Sequence, residues 1–133
     1  SNNYYPSHQF LSMMEKKNIK VLIFTQPPII NYMVNKNASQ YLTYLGFSPN
    51  QQFHEIELDN RNVKKGNEKI LSIASEHKNT IIFDVYRYMV NNGKSKVTYK
   101  NDVLYFDDDH LSYAGTALHR NDLNSLMTRL LKD

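Results

Sequence analysis

The chain has 133 residues, 41% of them hydrophobic, with no apolar run long enough to cross a bilayer, so it is expected to be one soluble domain or part of one. Its 16 basic and 13 acidic residues leave a net charge of +3, scattered rather than gathered into a tract that tracks phosphates, which argues against nucleic acid as a partner. Cysteine is absent, so disulfides, thiolate nucleophiles and thiolate zinc sites are excluded, and the redox compartment is left open.

No signal peptide is visible, and Ser1-Asn2 resembles a scar of tag removal, so the natural amino terminus is expected elsewhere. Phe10, Leu11, Met13 and Met14, followed by polar Glu15 to Asn18, predict a helix leading into the apolar run Ile19 to Phe24. Lys20 to Thr25 has the continuous apolar, β-branched character of a strand covered on both faces, and Pro27-Pro28 ends it because proline cannot donate to a ladder. Ala38, Tyr41, Leu42 and Leu45 recur at helical spacing before Gly46, predicting a short amphipathic helix around residues 36 to 45. Phe53 to Leu58 alternates weakly and reads as a short extended segment.

Val63, Ile70, Ile73, Ala74 and His77 form another helical stripe, leading to a second buried strand over Thr80 to Val85. Val97 to Tyr99 and Val103 to Phe106 flank the turn-prone Lys100-Asn101-Asp102, a small extended excursion. Ser112 is a natural N-cap for a last helix with apolar positions Ala114, Ala117, Leu118, Leu123, Leu126, Met127 and Leu130. The phase of that stripe slips near Asn121-Asp122, where a kink or break is expected. Parallel strands alternating with helices predict an α/β layered domain, but two strands make a poor sheet. The chain is therefore expected to be a piece of a larger domain, with the strand at Lys20 to Gln26 on the open side.

The chemistry-bearing stretch is Tyr105-Phe106-Asp107-Asp108-Asp109-His110-Leu111-Ser112-Tyr113-Ala114-Gly115. An acid three residues ahead of a histidine, at the entrance to a helix, can accept the Nδ1 proton and leave Nε2 as a general base for a serine. The same residues also suit a solvated acidic turn. Asp108 and Asp109 read as exposed turn acids that raise the imidazole's proton affinity slightly. A metal reading of Asp107, Asp109 and His110 lacks a second cluster, because His54, His77 and His119 fall at unrelated positions. His77 is expected to be half-buried packing and His119 to face solvent; no metal or cofactor is expected. Of the ten tyrosines, Tyr41 and Tyr44 are placed on or beside an apolar helix face, and Tyr86 and Tyr88 after a strand. No Gly-Asp-Ser or Gly-x-Ser-x-Gly element is present to offer a nucleophile, and neither Ser7 nor Ser12 has that context.

Leu104 to Ala117 closely resembles the last block of SGNH (GDSL-like) hydrolases, in which an Asp-x-x-His carries two members of the triad. Its extended form, with an aromatic before the acids and Leu-Ser and Gly after the histidine, is similar to the carboxyl-terminal SGNH domains fused to membrane-embedded acyltransferases of family three. Lys20 to Pro28 and Ile81 to Val85 resemble strands of that branch. The resemblance implies part of a flavodoxin-like, three-layer sheet, with residues 1–133 forming the carboxyl-terminal portion of one SGNH-like domain and the serine-bearing portion absent. It implies Asp107 as the orienting acid and His110 as the general base, with the serine and the oxyanion donors lying upstream.

The resemblance further implies an O-acyltransferase or esterase of the bacterial cell envelope, with an acyl donor and a carbohydrate acceptor as partners. A membrane acyltransferase domain would belong to the parent protein, on the extracytoplasmic side, and this soluble fragment would associate with the amino-terminal half of its domain or with itself. The alternatives are a non-catalytic glycan- or protein-binding module on the same fold and a fragment of a free-standing GDSL-type esterase.

Overall fold

A computed structural model describes residues 5–30 and 60–132. The helix expected around residues 36–45, the segment Phe53 to Leu58, and the positions of Tyr41, Tyr44 and His54 lie outside the described residues. The described chain forms two compact units, one of residues 5–26 and 61–85, the other of residues 27–30, 60 and 86–132.

In the first unit, helix α1 spans His8–Lys16 and starts where the Ser7 hydroxyl accepts the Phe10 N–H at 3.1 Å. It stops at Asn18, which takes a left-handed φ of 54°. The Asn18 N–H reaches the Glu15 carbonyl and the Ile19 N–H the Met14 carbonyl, the paired bonds that satisfy the last carbonyls of a helix. Leu11 is the helix's buried anchor, while Phe10 and Met13 remain exposed.

Strand β1, Val21–Phe24, pairs in parallel with β2, Thr80–Phe83, in the register Val21↔Thr80 to Phe24↔Phe83. Helix α2, Arg61–Ser75, lies between them in the chain and packs on β2, so the unit is α/β. Val63, Asn67 and Ala74 fall on one helical face and are buried. The polar member of that face has a specific task. Asn67 accepts the Gln26 N–H at 2.9 Å and donates to the Gln26 carbonyl at 3.0 Å, replacing a strand's two ladder bonds just before Pro27 removes a donor.

The sequence predicts strands covered on both faces. Instead, three of four residues in each are only half-buried and Phe24 is exposed, because no third strand joins the pair among the described residues.

In the second unit, Asn60 repeats the clamp on Ile29, accepting its N–H at 2.7 Å and donating to its carbonyl at 3.2 Å. A short helix α3, Val85–Met89, leads to a hairpin of β3, Val90–Asn91, and β4, Lys94–Ser95. Its turn, Asn92-Gly93, has both φ values positive, 49° and 74°, the conformation that twists with the strands it joins. A second hairpin, β5 at Thr98–Tyr99 and β6 at Asp102–Val103, is the predicted extended excursion. Met89, Val97, Leu104 and Tyr105 are the centre of this unit's core.

The last helical stretch does break, into α4, Tyr113–Ala117, and α5, Arg120–Lys132, but the junction lies at Leu118-His119, ahead of the Asn121-Asp122 slip, which falls inside the first turn of α5. His119 departs from expectation. It is buried rather than solvent-facing, because the break turns it inward to meet Tyr88 edge-on at 5.6 Å, and that burial lowers its pKa.

Gly115 in α4 is packed so tightly on Leu104 that a Cβ would overlap that residue's carbonyl oxygen, which already accepts the Ser112 N–H at 2.9 Å. Gly115→Ala is expected to lower the unfolding free energy by about 1–3 kcal/mol through overpacking, and urea denaturation of the two proteins measures it.

Candidate active site

The acid-histidine segment is a loop closed on itself. Tyr105 and Leu111 form an antiparallel bridge, and the Phe106 N–H donates to the His110 carbonyl at 2.8 Å. Ser112 locks the exit, its hydroxyl donating to the Val103 carbonyl at 2.6 Å and accepting the Gly115 N–H at 3.1 Å. The entrance is held by the buried Tyr105 side chain, whose hydroxyl donates to the Pro28 carbonyl at 2.9 Å and lies 3.5 Å from Ser95 Oγ. Burial pushes the Tyr105 pKa up, so the phenol stays a donor at any ordinary pH. The Ile30 N–H adds a bond to the Asp108 carbonyl at 2.7 Å. Both ends of the loop are thus fixed to buried backbone.

At the apex, Asp107 Oδ1 accepts the N–H of Asp109 at 3.1 Å and of His110 at 2.8 Å. Those bonds hold the carboxylate in place under the imidazole, whose Nδ1 lies 3.0 Å from Oδ1 and 2.9 Å from Oδ2. No described residue bonds His110 Nε2, and the His110 side chain is 73% exposed. The chain therefore brings together the acid and the histidine that the spacing singled out. Desolvation pushes the Asp107 carboxyl up, but the two backbone donors and the imidazole outweigh it and hold the group at about 2. His110 is raised above 6.5, first by its hydrogen bond to Asp107 and then by the charges of Asp109 and Asp107.

Asp109, read from sequence as a turn acid, lies nearer than that reading implies, with Oδ1 2.8 Å from His110 Nδ1. One oxygen each of Asp107 and Asp109 and a nitrogen of His110 fall within 4.8 Å of one another, a spacing a cation would also accept. Asp107 is hydrogen-bonded to the imidazole and Asp109 stands at ion-pair distance from it, and no metal is assigned.

The other candidates are placed elsewhere. His77 is buried in the first unit, with Nε2 2.9 Å from His8 Nδ1 and Nδ1 3.7 Å from Glu15 Oε2. The Ser7 hydroxyl is occupied as a helix cap. Sequence reasoning passed over Tyr105 as an anchor. Its only signal was an aromatic ahead of the acids, which does not reveal a hydroxyl partner 77 positions away.

A family model described as "SGNH domain (fused to AT3 domains)" matches residues 2–124. No curated protein and no solved structure gives a significant match.

Tyr105→Phe leaves the fully buried Pro28 carbonyl without its donor and is expected to cost about 1–3 kcal/mol of stability, readable by urea denaturation. The pair also carries a pH signature. The depressed Asp107 stabilises the fold above 3.8, and that contribution is lost as pH falls towards about 2. The raised His110 stabilises below 6.5, and its contribution is lost as pH rises through its folded midpoint. The stability difference between the native chain and His110→Ala is thus expected to be largest between those limits and to shrink on either side, as pH-dependent denaturation would show.

Proposed function

Because the chain belongs to the SGNH domain family whose model is described as fused to AT3 domains, we propose that it supplies the acid and base of a Ser-His-Asp triad in an O-acyltransferase or esterase acting on cell-envelope carbohydrate. The observation that carries this reading is the Nδ1 of His110 set 2.9 Å from Asp107 Oδ2 while no described residue bonds Nε2 on an exposed ring. Donation of Nδ1–H to Asp107 fixes the tautomer that leaves the Nε2 lone pair outward, and the carboxylate stabilises the imidazolium that forms when Nε2 takes a hydroxyl proton. After acyl transfer to the serine, the same proton returns to the leaving group, and an incoming sugar hydroxyl or water is activated in turn.

The serine and the oxyanion donors come from residues outside these 133, as do the strands that would extend β1 and β2 into a parallel sheet. That assignment agrees with a sequence that has no Gly-Asp-Ser element and with strands left half-covered among the described residues. No helix among the described residues is long and apolar enough to cross a membrane. Attachment to an extracytoplasmic membrane face therefore falls, in this proposal, to the acyltransferase domain.

The test compares this chain with a longer polypeptide that carries a Gly-Asp-Ser block about a hundred residues ahead of Asp107, using p-nitrophenyl acetate. The chain alone is expected to stay at the background rate. The longer protein is expected to turn over ester and to lose roughly 10⁶-fold in kcat on His110→Ala. Turnover by the chain alone that vanishes on His110→Ala would place a serine within these residues. Activity of the longer protein that is indifferent to His110→Ala would remove His110 from the catalytic role, and a longer protein that also stays at background would favour a binding module instead.

A further inference from the structure

The hairpin that carries the acid and the base also carries an apolar ring on the base's own face. The Tyr105–Leu111 bridge is framed by the Ser112 N–H on the Leu104 carbonyl and the Phe106 N–H on the His110 carbonyl, so Phe106 and His110 are the next opposed pair towards the apex. Opposed residues of an antiparallel pair send their side chains to one face, with Cβ atoms roughly 5 Å apart. Exposure follows that pleat. Tyr105 is 2% exposed, whereas Phe106 is 65% exposed and the His110 side chain 73%. Single apolar side chains are ordinary on a surface, and Phe106 is set apart from them by its place opposite the histidine.

We infer that Phe106 is the acceptor subsite, the platform on which a neutral pyranose stacks while one of its hydroxyls gives a proton to His110 Nε2. The subsite rests on the reading of His110 as the base of an acyl transfer to carbohydrate. In a Ser-His-Asp triad the acyl group is bound to the serine oxygen, whereas the group that exchanges a proton with Nε2 is the departing or incoming alcohol. The serine comes from outside these residues, so it is the alcohol that must settle against the histidine's own surroundings. In the transfer step the sugar oxygen bonds the acyl carbon and the serine Oγ–acyl bond breaks. The sugar proton passes to Nε2 and from there to the serine oxygen, which returns to its starting state.

A pyranose suits this surface in shape and charge. Its C–H bonds cover the faces of the ring and are weakly positive, the partner that the negative face of an aromatic ring accepts. Its hydroxyls lie around the rim, so a sugar stacked on Phe106 keeps them at its edge, towards the neighbouring imidazole. No described residue bonds Nε2, which leaves that nitrogen open to a hydroxyl. Asp107, Asp109 and Asp108 all act on His110 by charge, so an anionic acceptor would meet three carboxylates where a neutral one meets none of that repulsion.

The longer, serine-bearing protein tests this with p-nitrophenyl acetate as donor and, as acceptor, the methyl glycosides of glucose, galactose and N-acetylglucosamine, or glycerol, which has hydroxyls but no ring face. The acetyl group divides between water and the added alcohol. The ratio of ester formed to acetate released, followed against alcohol concentration, does not depend on how fast acetyl enters the enzyme. Phe106→Ala is expected to raise the KM for the best of the glycosides roughly tenfold, as lost apolar contact does, with the glycerol ratio kept and the glycoside KM restored in Phe106→Tyr. If the glycoside and glycerol ratios fall together and tyrosine does not restore them, Phe106 only supports the loop and the inference fails. An unchanged glycoside KM in Phe106→Ala, or a native protein that acetylates none of the glycosides, also overturns it and leaves the ring to be covered by another part of the domain. The reaction is judged separately, because p-nitrophenol release that survives His110→Ala removes the base whatever the ratios do.

Discussion

The hydrogen bond from the Ser112 N–H to the Leu104 carbonyl governs the candidate site. It forms only because the residue at 115 has no Cβ, so the first turn of α4 can settle on that carbonyl. The Ser112 cap, the Tyr105–Leu111 bridge and the Phe106–His110 bond that returns the chain beside itself all depend on it. The loop is thus closed before any of its carboxylates is considered. A loop with its ends fixed has little entropy left to lose when its side chains order, which is why an exposed Asp–His pair can hold one geometry.

The segment after β1 is governed by a different constraint. Pro27 and Pro28 supply no donors, so backbone pairing cannot continue there, and two asparagine amides take its place: Asn67 on Gln26 in the first unit and Asn60 on Ile29 in the second. Each amide matches one residue's N–H and carbonyl together, as a neighbouring strand would. The Pro28 carbonyl is then free to receive the Tyr105 hydroxyl. Polar side chains in both units thus satisfy backbone groups that would otherwise be buried unpaired, a loss comparable to a missing hydrogen bond each.

The parallel pair β1–β2 shows what a sequence of strongly apolar strands looks like when its neighbours are not among the described residues. The register is regular and the Phe24 ring meets that of Phe83 at 5.7 Å, tilted by 57°, yet the strands stay half-exposed and Phe24 is exposed. Parallel strands are ordinarily buried on both faces. The composition of the pair is that of strands covered on both faces, and the described residues supply only part of that cover.

Local features were legible in the sequence because local stereochemistry decides them. The Asp107–His110 pairing spans three residues, the cap at Ser112 depends on side chains close by in the chain, and the two strands announce themselves by unbroken apolar runs. Sequence reasoning passed over the Asn92-Gly93 turn, although the dipeptide tolerates positive φ twice, because its flanking strands are too short to show an alternating pattern. Tertiary structure alone decided that His119 is buried, that Asn60 and Asn67 serve as backbone clamps, that Tyr105 bonds Pro28, and that Asp109, among three identical neighbours, faces the imidazole. Periodicity reports how apolar a helix face is, but a polar residue is buried only when a partner is brought to it from far along the chain, and which partner arrives is set by the packing of the whole fold.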